Sequence, residues 1–175
     1  MLLFALCCTS CEDGVTSNRF CHLKARFTFS PVMSMPPLYT SCNSLGEWCT
    51  ITTSNGQFVF SNLSTTSTAN RTALNGYSGF YMGLSGFIVG LPSIPEMGMD
   101  YSIVTCYDRA CSNCYAESNV TKPLTIKAGG FAYCAKCQRT YDLNNIGIVA
   151  NGATGKNLYR YRITYTGDVL LINNY

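Results

Sequence analysis

Two Cys-x-x-Cys pairs constrain this chain more than any other feature. They read Cys111-Ser112-Asn113-Cys114 and, after nineteen intervening residues, Cys134-Ala135-Lys136-Cys137. A turn of this length aims two sulfurs at one centre, where nearby backbone N–H groups can donate to the thiolates. Two such turns facing each other supply four ligands, at a spacing typical of tetrahedral sulfur sites. Three outcomes satisfy the pattern. Zinc favours a closed set of four thiolates. The same thiolates can hold a [2Fe–2S] cluster. In an oxidising compartment the thiols can instead form disulfides within or between the pairs. Zinc pinning two loops together is the expected cofactor, with the cluster as the alternative.

The chain carries eleven cysteines but one histidine, His22, near its start and expected to be exposed. Catalytic triads and His-ligated zinc hydrolases would all hang on that residue. No nucleophile–base pair stands out, so the chain is not expected to be an enzyme and no catalytic residue is assigned. Asp108 and Asp142 are expected to bond backbone amides rather than to act as acids or bases. Hydrophobic residues make up 47% of the chain and charged ones 12%, which excludes a solvated disordered polymer. The net charge of +3 is thinly spread, which excludes a dense nucleic-acid-binding face.

The start is a short uncharged apolar run, Met1-Leu2-Leu3-Phe4-Ala5-Leu6-Cys7-Cys8, too short to span a bilayer as a helix. It suits the core of a signal peptide, and the sequence then turns acidic at Glu12-Asp13. The segment around Cys8-Thr9-Ser10-Cys11 resembles a bacterial lipoprotein box. On that likeness residues 1–11 are the signal peptide, Cys11 is the lipidated residue and residues 12–25 are a tether. The expected location is an inner or outer membrane, on the periplasmic or cell-surface face. The expected partner is the membrane, through the lipid, together with an unidentified redox or surface protein.

The remainder, 26–175, reads as a single all-β domain with a metal-loop subdomain at about 106–142. Arg26-Phe27-Thr28-Phe29 alternates, and Pro31, Pro36 and Pro37 are expected to break the stretch after it. Turns are expected at Asn55-Gly56 and Asn75-Gly76, with a strand at Phe58-Val59-Phe60 between them. The glycine-spaced stretch 79–90 suits two strands. Further strands are expected over 101–107, 123–126, 131–133 and 141–143. A closing hairpin runs out over 158–165, turns at Thr166-Gly167-Asp168 and returns over 169–172. The gap between Cys42 and Cys49 permits a local disulfide. Cys106 is expected either buried on its strand or paired with Cys21, Cys42 or Cys49.

Three stretches, in order, resemble the Rieske ferredoxin domain. They are Tyr107-Asp108-Arg109-Ala110-Cys111, Cys134-Ala135-Lys136-Cys137-Gln138-Arg139-Thr140-Tyr141-Asp142 and Gly155-Lys156-Asn157-Leu158-Tyr159-Arg160-Tyr161. The likeness covers about residues 80–175, with Gly86-Phe87-Ile88-Val89 similar to the strand before the family's first loop. With the leader, the chain most resembles Rieske-like lipoproteins of Bacteroidetes-type bacteria. This implies a Rieske-like β-sandwich or barrel with a small inserted metal-loop subdomain. The family places C-x-H in one loop and C-x-x-H in the next, and its two histidines bind one iron. Here the first histidine position is Asn113, with Cys114 beside it, and the second is Cys137. The likeness thus implies Cys111, Cys114, Cys134 and Cys137 as ligands, without the imidazoles that raise a Rieske potential. The expected role is a structural or binding module, with an electron carrier as the alternative. A thiol–disulfide redox protein is disfavoured, because neither Cys-x-x-Cys pair is expected to open a helix that would activate a thiol.

Overall fold

The computed structural model describes residues 20–71 and 80–174. The leader, Cys11, the first part of the tether and the Asn75-Gly76 turn lie outside them. The described residues form an all-β fold of three antiparallel sheets with two short α-helices.

Strand β1 (Ala25–Phe29) buries Ala25, Phe27 and Phe29 on one face, as its alternation requires. It lies between β5 (Tyr81–Met82) and β14 (Leu170–Asn173), and β13 (Ile163–Tyr165) completes a four-stranded sheet. The second sheet has six strands, in the order β12 (Arg160–Tyr161), β7 (Thr105–Asp108), β6 (Phe87–Gly90), β2 (Trp48–Ser54), β3 (Gln57–Ser61) and β4 (Thr66–Asn70). Phe27, Phe29, Ile51, Phe58, Phe60, Phe87, Val89 and Tyr161 pack between these two sheets as the main core. Phe27 meets Phe58 edge-on at 5.0 Å, and Phe29 meets Phe60 at 4.7 Å.

The six-stranded sheet is covered on both faces. Phe87 and Val89 point into the main core, while Ile88 joins a second core with Trp48 and Tyr107. That second core is shared with the third sheet, ordered β11 (Ile148–Asn151), β10 (Thr140–Asp142), β9 (Phe131–Tyr133) and β8 (Thr125–Lys127). The small sheet lies within 106–151 and carries the metal loops.

Several expectations need correction. Pro36 and Pro37 do not simply break the chain, because they occupy the first turn of helix α1 (Pro36–Asn43). Proline's missing N–H has no partner there in any helix, so the position suits it. The Cys111 pair does open a helix, α2 (Ser112–Ser118), with Cys111 as its N-cap. The two strands of the glycine-spaced stretch belong to different sheets: β5 pairs with β1, and β6 pairs with β2 and β7. The outgoing arm of the closing hairpin splits at Arg162, where β12 pairs with β7 before the chain crosses to pair β13 with β14.

Other expectations hold. Asn55 (φ +48°) and Gly56 (φ +78°) form the two-residue turn between β2 and β3. All eight described cysteines are free thiols. Cys106 is buried on β7 as expected, whereas the disulfide that the Cys42–Cys49 gap permits is not formed, both residues lying in the main core as free thiols. His22 is exposed. The end of the tether lies along the domain: Cys21 N–H donates to Arg160 O at 2.9 Å, and the Phe20 ring faces the Arg162 guanidinium at 5.0 Å. Among the described residues no helix is long and apolar enough to cross a membrane.

Candidate metal centre

Cys111 follows β7, and its carbonyl accepts the Tyr115 N–H as the first bond of α2. Cys114 is the third residue of that helix. Cys111 N–H donates to Lys122 O and Leu124 N–H to Arg109 O, at 2.8 and 2.7 Å, so the loop returns upon its own start. The second pair forms a tight knuckle after β9. Gln138 N–H donates to Cys134 O at 2.9 Å, Cys134 N–H donates to Arg139 O at 3.0 Å, and Gln138 takes a positive φ of 60° to close the turn.

The two turns face each other. Cys111, Cys114 and Cys134 are buried, Cys137 is half-buried, and all four sulfurs lie within 4.8 Å of one another. Cys111 Sγ stands 3.6 Å from Cys137 Sγ, and Cys114 Sγ stands 3.7 Å from Cys134 Sγ. A disulfide bond is about 2.05 Å, so these contacts are non-bonded. A tetrahedral ion with metal–sulfur bonds of about 2.3 Å sets its sulfurs about 3.8 Å apart. The donor set and its spacing therefore fit a bound metal ion.

The surroundings suit thiolates unequally. Burial pushes the Cys114 thiol up, and the Cys111, Cys134 and Cys137 thiols push the same way. Burial also raises Cys134, against N–H donors from Cys137 and Lys136. For Cys137, burial is outweighed by hydrogen bonds from the Arg139 N–H and guanidinium and from the Cys111 and Cys134 thiols, which bring it down to about 7.

A belt of polar contacts holds the two turns. The Tyr141 hydroxyl lies 3.1 Å from Cys111 Sγ and accepts a bond from Asn113 Nδ2 at 2.9 Å. With that lone pair engaged, the hydroxyl proton is free to point at the sulfur. Asn113 also donates to Lys156 O at 2.9 Å and accepts from Lys156 N–H at 2.8 Å. It is thus a buried clamp on the loop 152–157 rather than a ligand. Arg139 is 7% exposed and donates to Ala153 O, Thr154 O and Glu117 Oε1. Asp108 accepts the Ala110 and Leu84 N–H groups at 2.6 and 2.7 Å and the Tyr161 hydroxyl at 2.6 Å. Asp142 accepts the Asn144 N–H at 2.9 Å, so both aspartates bond backbone amides as expected.

All four sequence-predicted ligands thus converge, while the lipidation candidate Cys11 lies outside the described residues. Sequence reasoning missed the roles of Tyr141, Arg139 and Lys156. Only Tyr141 carried a signal, its place four residues beyond Cys137. Comparison with protein-family models, with curated proteins and with solved structures finds no match. The chemistry of the centre rests on its own residues.

Proposed function

We propose that this protein is an exported, lipid-anchored, Rieske-like β domain whose four-cysteine site holds structural zinc, and that it works as a structural or binding module. Residues 1–11 would be the signal peptide, Cys11 the acylated residue and 12–25 the tether, which sets the domain on a membrane facing the periplasm or the cell exterior. The observation that carries the zinc reading is that all four sulfurs lie within 4.8 Å. A two-iron cluster sets sulfurs on opposite irons farther apart than sulfurs on one iron, whereas a single ion needs all its sulfurs close. The Cys111 loop joins the six-stranded sheet to the small one and the Cys134 knuckle joins β9 to β10 within the small sheet, so a redox-inert ion would fasten the connection to that sheet. No catalytic role is proposed.

A second reading, an electron carrier with a [2Fe–2S] cluster, draws support from the Tyr141 hydroxyl against Cys111 Sγ, since hydrogen bonds to sulfur tune cluster potentials. One preparation separates the two. Residues 18–175 are expressed with iron and zinc both supplied, then examined by visible spectroscopy and elemental analysis. About one zinc per chain without colour is expected. Two irons with sulfide and a charge-transfer band would replace the module reading with the carrier. For the anchor, incorporation of labelled palmitate that is lost in Cys11→Ala is the expected result, and no incorporation would remove the lipoprotein reading.

A further inference from the structure

The four sulfurs differ in access. Cys111 and Cys134 are fully buried and Cys114 is 4% exposed, whereas Cys137 is half-buried on a knuckle whose neighbours Ala135, Lys136 and Gln138 face solvent. A small polar oxidant meets Cys137 first. The sulfur contacts at 3.6 and 3.7 Å, Cys111 with Cys137 and Cys114 with Cys134, both run between the motifs. Resting on the metal-site reading above, we infer that a hydroperoxide oxidises this centre at Cys137, and that the product is a pair of cross-loop disulfides, Cys111–Cys137 and Cys114–Cys134, which expel the ion while keeping the loops joined.

In the first step the Cys137 thiolate attacks the terminal peroxide oxygen and the O–O bond breaks. Water, or an alcohol from an organic peroxide, leaves after protonation, and a sulfenic acid remains on Cys137. The Cys111 thiolate then attacks that sulfur and displaces hydroxide, which is protonated to water. With two ligands consumed the ion departs, unchanged in charge, and the Cys114–Cys134 pair reacts in the same way with a second peroxide. Four thiolates, two hydrogen peroxides and four protons become two disulfides and four waters. Each new bond replaces a metal bridge between loops with a covalent one. The buried thiols Cys42, Cys49 and Cys106, shut in the main core, stay reduced.

The test uses the full chain as purified. Metal content is measured first, hydrogen peroxide is then added in steps, released zinc is followed with a chromogenic chelator, sulfenic acid is trapped with dimedone, and disulfides are mapped by tandem mass spectrometry without reduction. A tryptic cut after Lys136 separates Cys134 from Cys137, and fragmentation of the backbone between Cys111 and Cys114, which share a peptide, assigns each linkage. The expected results are an early adduct on Cys137, zinc released in step with peroxide, and peptide 110–127 joined to both 128–136 and 137–139, the Lys122-Pro123 bond resisting trypsin. In Cys111→Ser, which lacks the resolving thiol, the Cys137 adduct is expected to grow several-fold. First labelling at Cys111, Cys114 or Cys134, bonds within either Cys-x-x-Cys pair, or zinc retained through full thiol oxidation would overturn the inference. A preparation that never held metal removes the metal reading instead, and the linkage map on the same sample still decides the cross-loop chemistry.

Discussion

Tyr141 presents one hydroxyl to two partners, with Asn113 supplying a proton from one side and Cys111 sulfur lying 3.1 Å away on the other. Tyr141→Phe keeps the ring in the second core but removes both bonds. The variant is expected to fold and to bind metal about 10–100-fold more weakly, as for other lost outer-shell partners, measured by competition against a chelator. The thiols themselves set a pH dependence. Burial raises Cys114 and Cys134, so these two thiols of the metal-free site hold their protons near neutrality and the metal must displace them. Affinity is therefore expected to climb from pH 6 to 8 by more than about tenfold per unit, with more than one proton released per ion. Asp108 acts on the fold alone. Burial raises its carboxyl despite bonds from Tyr161, Leu84 and Ala110, so folding favours its protonated form. Its contribution is fullest below the unfolded-state value of about 3.9 and is lost as pH rises through the higher folded-state value. Urea unfolding of Asp108→Asn is expected to lack that slope, and to cost about 1–3 kcal/mol in acid because an amide NH2 meets N–H donors.

Elements differ in how plainly the sequence announces them. The β2–β3 hairpin was legible because Asn55-Gly56 is among the few pairs that accept positive φ at both turn positions. The four ligands were legible because Cys-x-x-Cys is a local geometry. The helices were not: α1 spans eight residues and α2 seven, too few to build an apolar period, and α1 begins on two prolines. The split of β12 from β13 was hidden because alternation runs on through Tyr161, Arg162 and Ile163 while only the partner strand changes. Two glycines with similar dihedrals give a paired test. Gly56→Ala adds a methyl into open space at φ +78° and is expected to cost about 1 kcal/mol. Gly86→Ala, at φ +91°, drives its methyl into the Ile51 carbonyl and is expected to cost about 2–4 kcal/mol by thermal or urea unfolding. Equal losses would mean that the β2–β6 approach is looser than described.

Across the whole molecule, two cores share one six-stranded wall. The aromatic core between the larger sheets contains none of the four site cysteines, while Cys111, Cys114 and Cys134 are part of the smaller one. Stripping the metal is therefore expected to speed amide exchange in β8, β9 and β10 by at least about tenfold and to leave β1, β3 and β14 close to unchanged. Uniform acceleration would mean that the two cores unfold as one. The layered plan was partly legible, since strand-rich composition and the terminal hairpin point to stacked sheets. Which face each strand gives to which core depends on long-range pairing that no local pattern records. The placement of Trp48 turns this division into an optical property. It is the only tryptophan in the chain, buried on the small-sheet side of the wall with its ring 5.8 Å from that of Tyr107. Its fluorescence therefore samples the half of the molecule that holds the sulfurs, with no second indole to dilute the signal, so the protein carries its own label for watching an ion enter or leave.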